Sequence, residues 1–189
     1  SHRMDDYIAN YVSDQQHILH QIETFPGAPP ISTEKNGLLE KAGPREKLFF
    51  DPQRVHAAVV TCGGLCPGLN DVVRGVVMTL WHRYGVRRIS GIRYGYHGLL
   101  PGIGQDPLTL APGMVADIHR HGGTILGSSR GGGQRTAEIV DTIRKLGINV
   151  LFTVGGDGTL RGAVAIAREA RRRGYALSVV GIPKTIDND

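Results

Sequence analysis

The sequence is short of the residues that build secreted, fibrous or membrane-spanning proteins. It holds only two cysteines, Cys62 and Cys66, in 189 residues. Two thiolates cannot close a structural zinc site, which takes about four ligands. A disulfide is unexpected in a chain with no sign of secretion. Aromatic residues make up 6% of the chain, so its basic residues are not interleaved with the stacking side chains that single-stranded nucleic-acid binders use. No apolar run approaches the ~20 residues needed to cross a bilayer, and no signal-peptide pattern opens the chain. These absences lead us to expect a cytoplasmic protein with neither a membrane nor a nucleic-acid partner.

Glycine is what the chain has in excess. Its 27 glycines gather at the ends of apolar runs and form no repeat, which points to loops built for a ligand in an α/β fold. The 40% hydrophobic content is enough for a core. A net charge of +5 permits a nucleic-acid partner but equally suits a binder of small anionic substrates. Arg168, Arg171, Arg172 and Arg173 cluster on an alanine-rich helical stretch and read as a solvated helix face.

The stretch from Val150 to Leu160 organises the rest. Val150-Leu-Phe-Thr-Val154 has the composition of a buried strand; Gly155-Gly-Asp-Gly158 follows, and a helical pattern opens at Thr159. A strand that ends in glycines and enters a helix N-terminus can hold phosphate. The backbone approaches the anion closely, and the first N–H groups and the helix dipole point at it. Asp157 would repel that phosphate unless a cation bridged them, so it is the candidate Mg²⁺ ligand.

The same device appears earlier. A strand over 55–61 runs into Cys62-Gly-Gly-Leu-Cys-Pro-Gly-Leu-Asn70 and then a helix over 71–84. This loop has neither the Walker lysine nor the dinucleotide-fingerprint spacing. A short strand over 87–93 leads to Tyr94-Gly-Tyr-His-Gly98, whose aromatics either cover a ligand or plug the core. Residues 112–120 read as a helix with proline near its start. His119 and His121 lack the i, i+4 spacing of helical metal ligands. In the glycine-rich segment 122–133, Arg130 stands alone among small residues and can present its guanidinium to a phosphate.

A helix over 136–146, capped by Gly147, precedes the central strand, and a helix over 160–173 follows it. A last strand over 177–182 ends in Pro183-Lys-Thr-Ile-Asp-Asn-Asp189. Asp187 and Asp189 fall at a strand's carboxyl end, where open α/β sheets place ligands. They are candidates for a general base toward a sugar hydroxyl and for a second acidic group near the metal. Residues 1–50 differ in composition and read as an N-terminal extension. It holds one short amphipathic helix over residues 5–22 and a polar segment that packs on a neighbour or wraps the domain. The domain proper spans 51–189.

Four segments together resemble the phosphofructokinase family: Thr61 to Asn70, Gly122 to Arg130, Gly155 to Thr159, and Pro183 to Asp189. The extension is similar to those of the plant- and trypanosome-like branch. The resemblance implies a three-layer, Rossmann-like, mostly parallel sheet with glycine-rich phosphate loops, forming the N-terminal half of a phosphofructokinase fold. It also implies a longer chain, so this one is expected to be truncated at its C-terminus. The activity implied is transfer of the γ-phosphoryl group of ATP to the 1-hydroxyl of fructose 6-phosphate in glycolysis, with Mg²⁺, in an allosteric homodimer or homotetramer.

Carried over by position, Asp187 is the base and Asp189 supports the metal through water. Asp157 is the metal ligand. Lys184, Thr185, Ile186 and Asp187 meet the sugar-phosphate acceptor. Gly63, Gly156, Gly158 and Thr159 cradle the nucleotide phosphates, Arg130 and Gly131 lie near the transferred group, and Tyr96 lies near the nucleotide. In this family a glycine at position 158 goes with ATP, whereas pyrophosphate users carry an aspartate there. Lys184 is typical of pyrophosphate users but also occurs in the long ATP-using branch. Gly158 is the stronger indication because a side chain there would block nucleotide phosphates. The alternatives are a pyrophosphate-dependent enzyme or a non-catalytic nucleotide-binding or regulatory subunit. NAD kinases and diacylglycerol kinases share the Gly-Gly-Asp-Gly-Thr element but leave the other motifs unexplained.

Overall fold

The computed structural model describes residues 10–19, 25–28 and 37–187. The chain divides into two compact units, Ser1–Phe50 and Asp51–Asp189.

In the first unit, β1 (His17–Leu19) pairs antiparallel with β2 (Leu38–Glu40). The amphipathic helix expected over 5–22 is absent from residues 10–19, which turn and then extend into β1. The remainder of that expectation lies outside the described residues. Arg45 ties the unit together. It reaches Asp14 at 2.7 Å and Glu40 at 2.8 Å, and donates to the carbonyls of Gly43 and Lys41. Scattered apolar positions therefore gave way to a charged hub that joins residues distant in sequence.

The second unit holds a five-stranded sheet. Its elements in order are β3 (His56–Thr61), α1 (Leu69–His82), β4 (Arg88–Ile92), β5 (Leu108–Thr109), α2 (Pro112–Val115), α3 (Thr136–Leu146), β6 (Val150–Gly155), α4 (Asp157–Arg172) and β7 (Ser178–Pro183). Across the sheet the order is β5-β4-β3-β6-β7, parallel except for β5. All six residues of β3 are buried, as expected of a central parallel strand covered on both faces. Ala58 and Val60 share a core with Leu151 and with Ile139, Ile143 and Ile166 of α3 and α4. Alternation along the strand turns Ala57 and Val59 to the other face, where they are equally buried. The crossovers to β4 and β6 leave in opposite directions from β3, and right-handed connections then put α1 and α3 on opposite faces.

Three local outcomes differ from the sequence reading. The helix expected over 112–120 breaks into α2 and a 3₁₀ turn, Ile118–Arg120. The Ala116 carbonyl is engaged by Arg74 Nε at 3.1 Å, and Asp117 leaves helical geometry. Helix α4 begins at Asp157 rather than 160, so the carboxylate sits in its first turn. The two-residue strand β5 is too short to leave a periodic signal. The cap at Gly147 is as expected: φ is +70°, and the Ile148 N–H returns to the Ile143 carbonyl.

Candidate active site at the carboxyl ends of the strands

Strands β3 and β6 lie side by side while their connections run to opposite sides of the sheet, which opens a crevice beyond their carboxyl ends. A cavity of about 730 Å³ occupies it. Its walls come from the loop after β3, the segment after β4, the 122–133 loop, the first turns of α4 and the segment after β7. The expected nucleotide residues Gly63, Tyr96, Arg130, Gly131 and Gly156 to Thr159 all line it, as do Lys184, Thr185 and Ile186. Asp187 is exposed and does not line the cavity. Asp189 lies outside the described residues.

The glycines here fall into two kinds. At Gly155, φ is +155° and an added Cβ would stand 2.6 Å from the Cys62 carbonyl, so the fold itself requires glycine where the two strand ends converge. Gly156 and Gly158 have no such requirement. A Cβ at either would meet nothing within 4 Å, and neither has a positive φ. Their missing side chains leave room in the cavity instead of relieving a clash.

Among the described residues no side chain caps the first turn of α4, which leaves the Asp157 and Gly158 N–H groups for a ligand. Asp157 beside them has an 88% exposed side chain, 3.7 Å from Arg161. Among the described residues no group of three or more His, Cys, Asp or Glu could hold a metal. A lone carboxylate next to a phosphate loop nonetheless fits Mg²⁺, which takes one or two carboxylates plus substrate phosphates and keeps its waters. Arg130, Arg161 and Lys184 line the same cavity, so its charge favours an anion. The Lys184 N–H bonds the Gly155 carbonyl at 3.1 Å, fastening the segment after β7 to the end of β6.

Tyr96 settles the question its glycine neighbours raised. It is 2% exposed, packs against Gly162, and donates its hydroxyl to the Thr159 carbonyl at 2.7 Å. It is a plug beneath the cavity, not a face laid over a ligand. Burial pushes the Cys62 thiol up to about 12 and raises the Tyr96 phenol, so neither carries charge near neutral pH.

Sequence reasoning passed over several residues. Asn70 accepts from the Ile125 N–H and donates to the His121 carbonyl, both at 2.9 Å, and so pins the 122–133 loop. Arg161, Gly162 and Ala165 line the cavity one to two turns after Asp157 and Gly158, a helical spacing that could have revealed them. Two arginines of the cluster at the end of α4 are ion-paired on the surface, Arg172 and Arg173 on Glu169 and Arg173 also on Asp141. Those partners hold the Glu169 carboxyl down to about 2.

Comparison with known proteins agrees with this architecture. The family model described as Phosphofructokinase matches residues 56–189. An ATP-dependent 6-phosphofructokinase of Borreliella burgdorferi is 57% identical over 152 residues, covering 80% of this chain and 34% of the relative. One from Trypanosoma cruzi is 51% identical over 177 residues, covering 92% of this chain and 36% of the relative. One from Arabidopsis thaliana is 48% identical over 179 residues, 93% of this chain and 36% of the relative. The latter two alignments take in most of residues 1–50.

Among solved structures, Pichia pastoris phosphofructokinase in the T-state superposes with a TM-score of 0.62 at 27% identity, over 78% of this chain and 16% of that one. A pyrophosphate-dependent phosphofructokinase from Marinobacter aquaeolei shares the fold, with a TM-score of 0.62 at 23% identity, over 71% of this chain and 34% of that one. The chain spans about a third of the length of the curated relatives it matches (34% and 36% of the first two). With a family match over the whole parallel sheet and the cavity at its carboxyl edge, this chain belongs to the phosphofructokinase family.

Proposed function

We propose that residues 51–189 form the nucleotide-binding domain of an ATP-dependent 6-phosphofructokinase. The observation that carries this reading is the open space at Gly156 and Gly158 beside the uncapped N-terminus of α4, facing Arg130 and Lys184 across one cavity. Backbone N–H groups of Gly156, Asp157 and Gly158 hold the phosphates of ATP, Gly63 and Thr159 line the wall beside them, and Arg130 neutralises the group in transfer. Asp157 is the protein's ligand to Mg²⁺, which when bound offsets the phosphate charge. Lys184, Thr185 and Ile186 receive the sugar phosphate. The Asp187 carboxylate takes the proton of the 1-hydroxyl of fructose 6-phosphate as that oxygen attacks the γ-phosphorus. ADP departs and fructose 1,6-bisphosphate forms. Asp189 supports the metal through water. A glycolytic role in the cytoplasm and assembly as a homodimer or homotetramer under allosteric control belong to the same proposal.

The test is phosphoryl transfer to fructose 6-phosphate with ATP and with pyrophosphate as separate donors, comparing wild type with Asp187→Ala. Turnover with ATP that collapses in the variant is expected. Turnover with pyrophosphate alone would make Lys184 the better guide to the donor. Silence with both donors, with ATP still bound, would favour a binding or regulatory subunit.

A further inference from the structure

We infer that His97 and Ser129 form a positioning pair that fixes the backbone from which Arg130 enters the cavity. The inference rests on the reading of Arg130 given above. Ser129 is held from three directions. Its carbonyl accepts the Gly63 N–H at 2.9 Å, its hydroxyl lies 2.6 Å from the Tyr94 carbonyl, and the same hydroxyl lies 2.7 Å from His97 Nδ1. A hydroxyl has one proton, and a carbonyl can only accept. That proton therefore goes to Tyr94, and His97 must donate from Nδ1–H. The relay runs from His97 through Ser129 to Tyr94 and joins the segment after β4 to the Arg130 loop. Ser128 adds a bond to the Gly63 carbonyl at 2.7 Å, which brings in the loop after β3.

Two further observations show that this junction is imposed rather than incidental. Tyr94 is the one non-glycine residue with positive φ among the described residues, at φ 58° and ψ 47°. A bulky residue keeps that conformation only where its surroundings over-determine it. Here the Tyr94 N–H bonds the Leu126 carbonyl at 2.9 Å, and its ring leaves no room for a Cβ on Gly127. The Arg130 guanidinium, by contrast, makes no hydrogen bond or ion pair among the described residues. With no anchor of its own, Arg130 takes its position from the residue before it.

The experiment uses the full chain and steady-state turnover with ATP and fructose 6-phosphate. It compares His97→Ala, His97→Asn, Ser129→Ala, Arg130→Ala and the His97→Ala/Arg130→Ala double variant. An asparagine amide places an N–H close to where Nδ1–H stands. His97→Ala and Ser129→Ala should each lower kcat by roughly 5- to 30-fold, as loss of one or two hydrogen bonds implies, with smaller changes in KM. His97→Asn should recover most of that loss. The double variant should be no slower than Arg130→Ala, because a residue acting through Arg130 has nothing left to act on. Nitrogen-15 shifts of the His97 ring should report a protonated Nδ1.

Additive losses in the double variant, unchanged kcat in His97→Ala, a folded His97→Asn without recovery, or a bare Nδ1 would each overturn the inference. An Arg130→Ala variant with normal turnover, or a wild type with none, would instead overturn the reading of Arg130, and the inference would fall with it.

Discussion

Replacing Gly158 by aspartate separates what the fold needs from what the ligand needs. The position is the second residue of α4, has no positive φ, and leaves an added Cβ with nothing within 4 Å. Aspartate there trades glycine's poor helix propensity for a better one and adds a carboxylate to the first turn, where the dipole favours it. Together these stabilise by about 0.5–1 kcal/mol, a rise in Tm of about 1–4 °C for a chain of this size. Toward a nucleotide the sign reverses. A carboxylate about 5 Å from a phosphate charge, at an effective dielectric constant near 20, repels it by about 3 kcal/mol, roughly a hundredfold in affinity. Displacement of a fluorescent ATP analogue and a melting curve on the same samples measure both. The expected variant is at least as stable as wild type and binds ATP roughly a hundredfold more weakly. ATP affinity retained in a folded variant would refute the claim that position 158 faces the phosphates. A Tm lowered by several degrees would refute the claim that the space there is open.

Asp157→Asn should leave stability nearly unchanged, since its side chain is 88% exposed, while removing the Mg²⁺-dependent part of ATP affinity; a Mg²⁺ titration of nucleotide binding checks this. Tyr96→Phe leaves the Thr159 carbonyl without its 2.7 Å donor and should destabilise by about 1–2 kcal/mol in urea unfolding. His56 is buried, with its ring bonded to the Leu146 carbonyl and to Ser90. Burial first, and then Arg88, lower its pKa below the ordinary 6.5. The unfolded chain therefore binds the proton first, so the stability His56 contributes is complete above about pH 6.5 and lost as pH falls below it. The slope from this one group reaches at most about 1.4 kcal/mol per pH unit. Urea unfolding between pH 7.5 and 5.5 should show it, and His56→Gln should flatten it.

The parts of the molecule that were legible in the sequence are those governed by local rules. The buried strands β3 and β6 read as largely apolar runs because both faces are covered, and Gly147 read as a cap because the αL position favours glycine. Much of the cavity could be assembled from glycine loops because those after β3 and β6 each follow a parallel strand, and parallel strands share one carboxyl edge. What stayed hidden depends on partners remote in sequence. Arg74 takes the carbonyl of Ala116 just after α2, and Arg45 joins Asp14 and Glu40 in a charged hub where residues 10–19 are not helical. The Tyr94–Ser129–His97 relay joins residues more than thirty positions apart through one hydroxyl. Tyr96 was ambiguous because an aromatic between glycines suits a lid and a plug equally well; Gly162 decides it by making room for the ring.

The register that sets β3 against β6, Ala57 opposite Val150 and Thr61 opposite Val154, also governs when the site comes into existence. The His56 N–H finds Asn149 across 93 positions of chain, so the two phosphate loops meet only after a long closure whose entropy is lost before any contact repays it. Helices α1, α3 and α4 can form locally well before that. Nucleotide capture is therefore a signal of the last stage of refolding, and should lag behind the recovery of helical circular dichroism.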